Sequence, residues 1–387
     1  MRDVVIAGVG STEFGRFPHV PIEALGVKAA AHAILDAEID RQRVGALYVG
    51  NFLSGTLNGK EVLAGLVGEQ LGLGNIPCTK VEGACASGGI AFRHAWMAIA
   101  SGMCDIALAV GVETMSHAAT SQVTGALNCA MDNENDGPTG LTFPGLFGLA
   151  WRAYEHLYGV TRGQLSAVVR KNKAYGLRNP LAHMGASLSD EQIADSALIC
   201  DPLRLFDCCS PSDGAAAIVL AAKSALPSRR GHHIDVLATV QTRGSATVMG
   251  HPNLTSFDAT VSAACLAYER AKVRPNDIDV VELHDCFSIA EVIDSEDLGI
   301  VPRGRGAVWA AEGRTTLGGN VAINPSGGLL AKGHPVGASG IGQIYEVVQQ
   351  LRGKHPNQVR DARLGMTHSL GGTGVACTVS ILRRSET

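Results

Sequence analysis

Strand-like and helix-like segments alternate along most of this chain, and this alternation constrains the fold more than any other feature. Residues 3–9 have the β-branched, apolar character of a buried strand, and residues 22–38 place apolar side chains three and four positions apart, as a helix requires. The pattern continues with strands at 46–52 and 105–113 and a helix over 87–102. Because strands that alternate with helices usually pair in parallel, the sequence predicts an α/β fold whose mainly parallel sheet is covered on both faces.

The alternation stops after residue 113 and resumes near residue 206. Between them lies a long insertion with helix-like stretches of its own at 146–158 and 161–176. The predicted domains are a first core domain over 1–113, the insertion over 114–205, a return to the first core domain over 206–230 and a second core domain over 231–387. Both core domains repeat the order of strand, small-residue loop and helix, which indicates an internal duplication. A two-fold arrangement would place the two special loops together at the centre.

Charge and composition exclude several classes of protein. The chain has 32 basic and 36 acidic residues and a net charge of -4, so no general attraction to nucleic acid or to anionic membranes is expected. Its 47 glycines and 46% hydrophobic content are typical of a compact α/β enzyme. No 18 apolar residues run together, and glycines break the N-terminal apolar stretch, so we expect neither a membrane span nor a signal peptide. The expected location is the cytoplasm.

Ten cysteines are scattered along the chain, and two of them, Cys208 and Cys209, are adjacent. Adjacent cysteines are poorly placed for a disulfide, so we expect reduced thiols. The paired C-x-x-C spacing of zinc sites does not occur, and the cysteines and histidines do not cluster along the sequence as a four-ligand site requires. The sequence therefore predicts no metal site.

Cys85 lies in the segment VEGACASGGIAF, between a strand-like run and a predicted helix. Amide N–H groups at the helix N-terminus favour a thiolate at this position. The small neighbouring residues let an acyl group approach, and their backbone N–H groups can stabilise an oxyanion. A lone cysteine is most often a buried packing residue, but these surroundings favour a nucleophile.

His334 lies in the segment NPSGGLLAKGHPVGASG, between a glycine and a proline. A loop confined in this way holds one conformation, which is how a general base is kept in position. A phosphate-binding loop is the alternative, but the segment has neither the G-K-S/T ending nor the G-x-G-x-x-G spacing. The sequence therefore favours His334 as the base for a cysteine nucleophile.

A third group of reactive side chains follows the apolar run VVEL, in the motif HDCF. His284 and Cys286 are two positions apart, so both can point to the same side of a strand. His284 can hold a water or donate to a thioester oxygen, and Cys286 can carry protons to and from the α-carbon of a second substrate. Asp285 is equally consistent with a structural and a reactive role. One nucleophile, two histidines and a second thiol predict carbon–carbon bond chemistry on thioesters.

With these motifs the chain resembles the thiolase family over nearly its whole length. GACASGG resembles the family's nucleophile loop, DPLRLFDCCSPSDGAAA the block that returns to the first core domain, and NPSGGLLAKGHPVGASG the histidine loop. The resemblance implies a duplicated α/β/α/β/α layered fold in which the insertion is a loop domain that helps hold coenzyme A. It also implies that Cys85 is acylated, that His334 activates it, and that Ser210 and Ser212 lie on the pantetheine side, although serines near glycine are often turn formers.

Two motifs depart from the common thiolase pattern. HDCF stands at 284–287 where common thiolases carry Asn-Glu-Ala-Phe, and Ser-Leu-Gly stands at 369–371 where they carry Cys-x-Gly. Both changes resemble the sterol-carrier-protein-type and archaeal or bacterial acetyl-CoA acetyltransferase branch, in which the HDCF cysteine does the acid–base work. The resemblance implies Cys286 as the proton carrier, and the backbone N–H groups of Gly371 and Cys85 as an oxyanion hole.

The resemblance further implies a thiolase reaction, in which Cys85 takes an acyl group and passes it to CoA or to an acetyl-CoA carbanion. Such Claisen chemistry belongs to lipid metabolism, uses CoA and acyl-CoA as substrates and needs no permanently bound cofactor. A homodimer or larger homo-oligomer is also implied. Three alternatives stay open: a ketoacyl-synthase-like enzyme, which malonyl-thioester dependence would identify; a retro-aldolase or C-acyltransferase that acts with a small zinc-ribbon and OB-fold partner; and a non-catalytic structural subunit.

Overall fold

The computed structural model describes residues 1–227 and 232–385. The predicted boundary between residues 230 and 231, and the last residues of the second core domain, lie outside the described residues. The strands are β1 (Val4–Ser11), β2 (Ala46–Gly50), β3 (Cys78–Val81), β4 (Ile106–Glu113), β5 (Leu198–Cys200), β6 (Leu203–Arg204), β7 (Gly214–Ala222), β8 (Ile234–Arg243), β9 (Val280–Glu282), β10 (Ala322–Ile323), β11 (Leu364–Gly371) and β12 (Ala376–Arg384). The α-helices are α1 (Ile22–Ala37), α2 (Ser54–Asn58), α3 (Leu63–Gln70), α4 (Ser87–Ala100), α5 (Thr120–Asn128), α6 (Phe143–Tyr158), α7 (Arg162–Gly176), α8 (Asp190–Ala194), α9 (Asp258–Ala271), α10 (Ser288–Asp297), α11 (Gly306–Ala311), α12 (Gly328–Lys332) and α13 (Val336–Leu351).

Ten of these strands form one sheet, in the order β10-β9-β11-β12-β8-β1-β7-β4-β2-β3. The pairs are parallel toward the two ends, around β2 and β9, and antiparallel through the middle from β4 to β11. The prediction of a mainly parallel sheet is therefore wrong. The connections explain the difference, because β12 follows β11 through a short hairpin and β7 returns only after the long insertion, so neither needs a parallel crossover.

The sheet consists of two five-stranded halves with the same design. The orders β3-β2-β4-β7-β1 and β10-β9-β11-β12-β8 have the same succession of parallel and antiparallel pairs. The halves meet where β1 pairs antiparallel with β8, with Val5 opposite Asp235 and Ile6 opposite Ile234. The internal duplication predicted from the order of strands and helices is confirmed.

Three helical layers enclose the two halves. α1 packs on β1 and β7 of the first half, and α9 packs on β8 and β12 of the second. α4 and α13 pack against each other between the halves, and α13 contacts β4 and β7 as well as β9 and β11. Side chains such as Phe92, Ile99, Ile341 and Val348 join strand residues of both halves in one buried core. This is the α/β/α/β/α layering that the family resemblance implied.

Glycines let α4 and α13 approach closely near their first residues. A Cβ at Gly88 would lie only 2.9 Å from the carbonyl oxygen of Gly337. α4 begins at Ser87, just after Cys85, and α13 begins just after His334. Because the two helix starts meet, the two loops that precede them meet as well.

The insertion between β4 and β7 contains α5 to α8 and the small β5–β6 hairpin. α6 and α7 match the helices predicted at 146–158 and 161–176. Two buried contacts hold the insertion against α10, since the hydroxyl of Tyr154 donates to Glu296 at 2.5 Å and Lys171 pairs with Glu291 at 3.0 Å. The described helices include none that is both long and apolar enough to cross a membrane.

Candidate active site

Cys85 lies in a tight turn between β3 and α4. The predicted strand was expected to run into Cys85, but β3 ends earlier and Ala84–Ala86 form one turn of 3-10 helix. Ser87 closes this turn, because its hydroxyl accepts from the N–H of Gly83 at 2.9 Å and donates to the carbonyl of Ala84 at 2.6 Å. The thiol is thereby held at the N-terminus of α4.

His334 faces this thiol from the start of α13. Its Nε2 lies 3.3 Å from the Sγ of Cys85, and its Nδ1 lies 2.7 Å from the Oγ of Ser339. The single hydroxyl proton of Ser339 is donated to the carbonyl of Pro335 at 3.0 Å, so Nδ1 of His334 is the donor to Ser339. This tautomer leaves a lone pair on Nε2 directed at the thiol, as a base for Cys85 requires.

The HDCF segment completes the cluster. The rings of His284 and His334 are 5.0 Å apart in a T-shaped arrangement. Cys286 lines the same cavity as Cys85. Its backbone carbonyl accepts from the N–H of Cys209 at 3.0 Å, which fixes the segment beside the returning chain. Three distant segments thus bring together all four side chains that the sequence selected as reactive.

The cluster opens into a cavity of about 560 Å³, a volume within the usual range for ligand sites. The large apolar side chains of the lining fall into two groups. One contains Phe52, Met115, Leu127 and Val336, and the other contains Phe143, Phe147, Phe287 and Leu370. The rings of Phe147 and Phe287 stack at 4.7 Å. An apolar cavity that ends in thiols and imidazoles is suited to an acyl thioester.

Burial decides the ionisation of the central pair. It raises the pKa of the Cys85 thiol to about 12, although hydrogen bonds from the backbone N–H groups of Gly372 and Cys85 itself lower that pKa. Burial also lowers the pKa of His334 to about 3. Burial, together with the neighbouring His334 and His368, lowers the pKa of His284 well below its usual value. The helix N-terminal amides favour a thiolate, whereas loss of hydration opposes it.

Glu113, which the sequence analysis did not select, supports the site from the end of β4. It is fully buried and accepts from the backbone N–H groups of Phe52 at 3.0 Å and Gly337 at 3.2 Å and from the side-chain amide of Asn51 at 2.8 Å. Burial raises its pKa to about 7 despite these donors. The sequence does contain a signal, because an acidic residue ends an otherwise apolar strand. Burial of a carboxylate is unfavourable unless hydrogen bonds satisfy it, so such a residue is expected to have specific partners.

Asp285 is a structural acceptor. Its Oδ1 accepts from the N–H of Leu329 at 2.7 Å, and its Oδ2 accepts from the N–H of Leu330 at 3.3 Å and from the side-chain amide of Asn172 at 2.8 Å. Leu329 and Leu330 belong to α12, which leads directly to His334. One buried carboxylate therefore ties the HDCF segment to the histidine loop.

The two serines predicted on the pantetheine side occupy different positions. Ser210 lines the cavity, and its carbonyl accepts from the backbone N–H of His334 at 3.2 Å. Ser212 has no exposed surface, and its hydroxyl donates to the carbonyl of Ser210 at 3.0 Å. The hydroxyl of Ser212 therefore supports the loop and does not face the cavity.

Gly371 and Gly372 pass close to the cysteine turn at the end of β11. A Cβ at Gly371 would lie 2.2 Å from the carbonyl oxygen of Gly83, so this approach requires glycine. The amide that is directed at the Cys85 sulfur belongs to Gly372. The oxyanion role of the Gly371 amide stays a prediction.

Two family models together match almost the whole chain. The family model described as thiolase, N-terminal domain, matches residues 4–224, and the model described as thiolase C-terminal domain-like matches residues 241–384. The chain belongs to the thiolase family. The resemblance drawn from the nucleophile and histidine loops is confirmed.

Relatives of this thiolase align with nearly all of it. The acetyl-CoA acetyltransferase of Methanothermobacter thermautotrophicus is 42% identical over 385 residues, which cover 99% of this chain and 100% of the relative. Sterol carrier protein 2 of Homo sapiens is 32% identical and covers 98% of this chain, which spans 72% of that relative. Among solved structures, the Ltp2-ChsH2(DUF35) aldolase has the same fold, with a TM-score of 0.86 at 24% identity over 100% of this chain and 98% of its own. The branch indicated by the HDCF motif is confirmed, and the thiolase is an acyltransferase.

Proposed function

We propose that this thiolase forms or cleaves 3-ketoacyl-CoA through an acyl group carried on Cys85. The observation that carries the proposal is the 3.3 Å approach of His334 Nε2 to the Cys85 sulfur, in a cavity that also contains His284 and Cys286. A nucleophile within hydrogen-bond reach of a base whose other nitrogen is fixed is the arrangement of covalent acyl transfer.

In the first half-reaction, Nε2 of His334 takes the thiol proton while the Cys85 sulfur attacks the reacting carbonyl. With an acyl-CoA the CoA sulfur leaves as a thiolate and then takes the proton of the Cys286 thiol. With a 3-ketoacyl-CoA the carbon–carbon bond breaks, and the departing acetyl-CoA carbanion takes that proton. Because the thiol and imidazole rest neutral, proton transfer accompanies the attack. Backbone N–H groups beside the sulfur, with those of Cys85 and Gly371 as the proposed pair, stabilise the oxyanion.

In the second half-reaction the acyl group leaves Cys85. In the synthetic direction the thiolate of Cys286 removes an α-proton from acetyl-CoA, and the resulting carbanion attacks the acyl carbon and displaces the Cys85 sulfur. Burial raises the pKa of Cys286 well above its usual value, which makes its thiolate a strong base. His284 and His334 donate to the thioester oxygen and stabilise the enolate. In thiolysis the Cys286 thiolate takes the proton of the CoA thiol, the CoA sulfur attacks the acyl-enzyme, and the departing Cys85 sulfur recovers its proton from His334.

CoA and acyl-CoA are the proposed substrates, and no permanently bound cofactor is proposed. The insertion over 114–205 is the proposed CoA-holding domain, because its helices α5 and α6 supply part of the cavity lining, including Leu127 and Phe143. Ser210 is the proposed pantetheine-side residue, and Ser212 holds it in place through the hydrogen bond to its carbonyl. The two matched sheet halves support the division into core domains over 1–113 with 206–230, and over 231–387.

The proposed setting is a cytoplasmic homodimer or larger homo-oligomer that works in lipid metabolism. A retro-aldolase or C-acyltransferase that needs a small zinc-ribbon and OB-fold partner is the second candidate, because one protein of the same fold carries the name aldolase. Condensation of acetyl-CoA by the purified chain alone would favour the first candidate. Light scattering during size-exclusion chromatography measures the oligomer.

Intact-protein mass spectrometry after mixing with acetyl-CoA, or with acetoacetyl-CoA and CoA, tests the acyl-enzyme. We expect one acetyl group per chain, located on Cys85 by peptide mapping, and consumption of acetoacetyl-CoA. The Cys85→Ala variant should acquire none. An acetyl group that maps to another residue, or its absence from the wild-type chain, would contradict the proposal.

Cys286→Ala separates the two half-reactions. We expect this variant to become acetylated on Cys85 at close to the wild-type rate, while condensation and thiolysis fall by at least about a hundredfold, the usual range for loss of an acid–base group. Quenched-flow mass spectrometry measures the first rate, and a coupled assay measures the second. Full turnover by the variant would remove Cys286 from the mechanism.

A further inference from the structure

The reactive cluster also has the composition of a metal site. One ligand atom from each of Cys85, His284 and His334 lies within 4.8 Å of the other two. Within this group, Cys85 Sγ and His334 Nε2 are 3.3 Å apart. Bond lengths of 2.0 to 2.3 Å around a tetrahedral zinc ion place its ligands about 3.5 Å apart. The third ligand therefore has to move by roughly 1 Å to complete one face of a tetrahedron around zinc.

His334 is presented in the form that a metal needs. Nδ1 of His334 donates to Ser339 at 2.7 Å, which leaves the Nε2 lone pair toward the cluster. Metal-binding histidines almost always have such a donor bond on the other ring nitrogen. His284 is 2% exposed, and its Nδ1 has no hydrogen-bond partner among the described residues. Within the part of the chain that the structure describes, no hydrogen bond of this ring nitrogen therefore opposes a shift of His284 toward a metal.

We propose that Cys85, His284 and His334 bind a zinc-class divalent cation, which competes with the acyl group for the Cys85 sulfur. One thiolate and two imidazoles form a soft donor set that favours Zn²⁺ over Mg²⁺ and Ca²⁺, both of which prefer oxygen. The fourth position opens to the cavity and takes water, as in zinc sites with three protein ligands. The sequence indicated no metal because its spacing rules apply to ligands on one short segment, and these three come from separate loops.

Binding is a proton-for-metal exchange at sulfur. The Cys85 S–H bond breaks, the S–Zn bond forms, one proton goes to solvent, and neither partner is oxidised or reduced. The metal draws electron density from the sulfur and occupies the space beside it where the thioester would bind, so a metal-loaded chain is not acylated. This consequence rests on the proposed function, whereas the binding itself does not.

Cobalt spectroscopy tests the binding without any use of activity. The whole chain is first reduced and treated with a chelator, and CoCl₂ alone is then added. We expect intense tetrahedral d–d bands and a sulfur-to-cobalt charge-transfer band that reach their maximum at one cobalt ion per chain. Added ZnCl₂ should abolish both. Cys265→Ala, which removes an exposed thiol on α9, is the matched control and should keep the spectrum. Cys85→Ser should lose the charge-transfer band, and His284→Gln should weaken binding by more than about tenfold.

Retention of the full spectrum by Cys85→Ser and by His284→Gln, or no tetrahedral spectrum from the wild-type chain, would overturn the proposal. Thermal unfolding of each variant shows whether it has folded, and two independent ligand variants keep the test valid if one of them has not. Inhibition is measured separately. Zn²⁺ should block Cys85 acetylation, and a chelator should restore it. A chain that binds cobalt but is never acetylated would refute the proposed function without contradicting the metal site.

Discussion

Cys85 and His334 form a neutral pair because loss of hydration disfavours both charges: His334 is buried, and Cys85 is partly buried where it lines the cavity. Burial raises the pKa of the thiol to about 12 and lowers that of the imidazole to about 3. A thiolate and an imidazolium 3.3 Å apart would attract each other, but the surroundings supply few donors to either charge. The sulfur therefore becomes nucleophilic only as it loses its proton to His334 during attack.

The pH dependence of Cys85 alkylation distinguishes this neutral pair from an ion pair. Because the thiol pKa is raised, the thiolate fraction increases with pH, and the rate of iodoacetamide alkylation should rise about tenfold per unit between about pH 6 and pH 9. Peptide mapping of Cys85 over time measures this rate free of the other cysteines. A thiolate–imidazolium pair would instead give a rate that is level across neutral pH.

His334→Asn is the matched variant for this measurement. Loss of the base should leave the slope of alkylation with pH unchanged, since the slope comes from burial of the thiol, while acetylation by acetyl-CoA falls by at least about a hundredfold. If the rates of alkylation and acetylation fell equally, His334 would also control the ionisation of Cys85 in the resting enzyme.

At the scale of elements, the site depends on two short links between segments that are far apart in sequence. Glu113 joins the end of β4 to the start of α13 through the N–H of Gly337. Asp285 joins the HDCF segment to α12 through the N–H groups of Leu329 and Leu330. Both carboxylates accept backbone donors, so they fix the position of the main chain beneath the reactive side chains.

Asp285→Asn should lower turnover without much effect on substrate binding. The amide can accept at one oxygen only, so one donor among those of α12 and Asn172 loses its partner, and the loop that carries His334 shifts. A misplacement of about 1 Å can cost about a hundredfold in rate. Steady-state kinetics should show a fall in kcat with KM nearly unchanged.

Asp195→Asn serves as the control, because Asp195 is exposed at the end of α8. It should leave kcat within about twofold of the wild type, as surface substitutions rarely have larger effects. If Asp285→Asn raised KM as strongly as it lowered kcat, the carboxylate would act on substrate binding and not on the histidine loop.

The sequence predicted the elements of this fold better than their pairing. Helix-like spacing located α1, α4 and α7 to within a few residues, because helix periodicity is a local property. Strand direction is not local, so the antiparallel returns of β7 and β12 were missed. The same limit applied at the site. Cys85 and His334 stood out because they lie in loops of small residues. The role of Glu113, and the meeting of Cys85, His284 and His334 as metal ligands, could not be predicted because they depend on contacts between distant segments.

At the scale of the molecule, the two sheet halves behave as one body. They share the β1–β8 pairing, and α4 and α13 pack between them in a single core. Arg352, at the end of α13, adds a polar link. It is 1% exposed, pairs with Asp36 of α1 at 2.6 Å, and donates to the carbonyls of Ala7 at 3.2 Å and His232 at 2.8 Å.

Arg352→Met should destabilise the whole molecule by about 3 kcal/mol, because it removes the buried cation that pairs with Asp36 and that donates to the Ala7 and His232 carbonyls. Guanidinium denaturation followed by circular dichroism measures the loss. Since the halves share one core, the variant should still unfold in a single transition with an earlier midpoint.

Arg152→Met is the control variant for this measurement. Arg152 also pairs with carboxylates, Glu155 and Asp201, but its side chain is 49% exposed, so water and salt already weaken those pairs. Its loss should cost less than about 1 kcal/mol. Two separate transitions in Arg352→Met would show instead that the core domains are held together mainly by this one side chain, and that the shared layer of α4 and α13 is not enough to couple them.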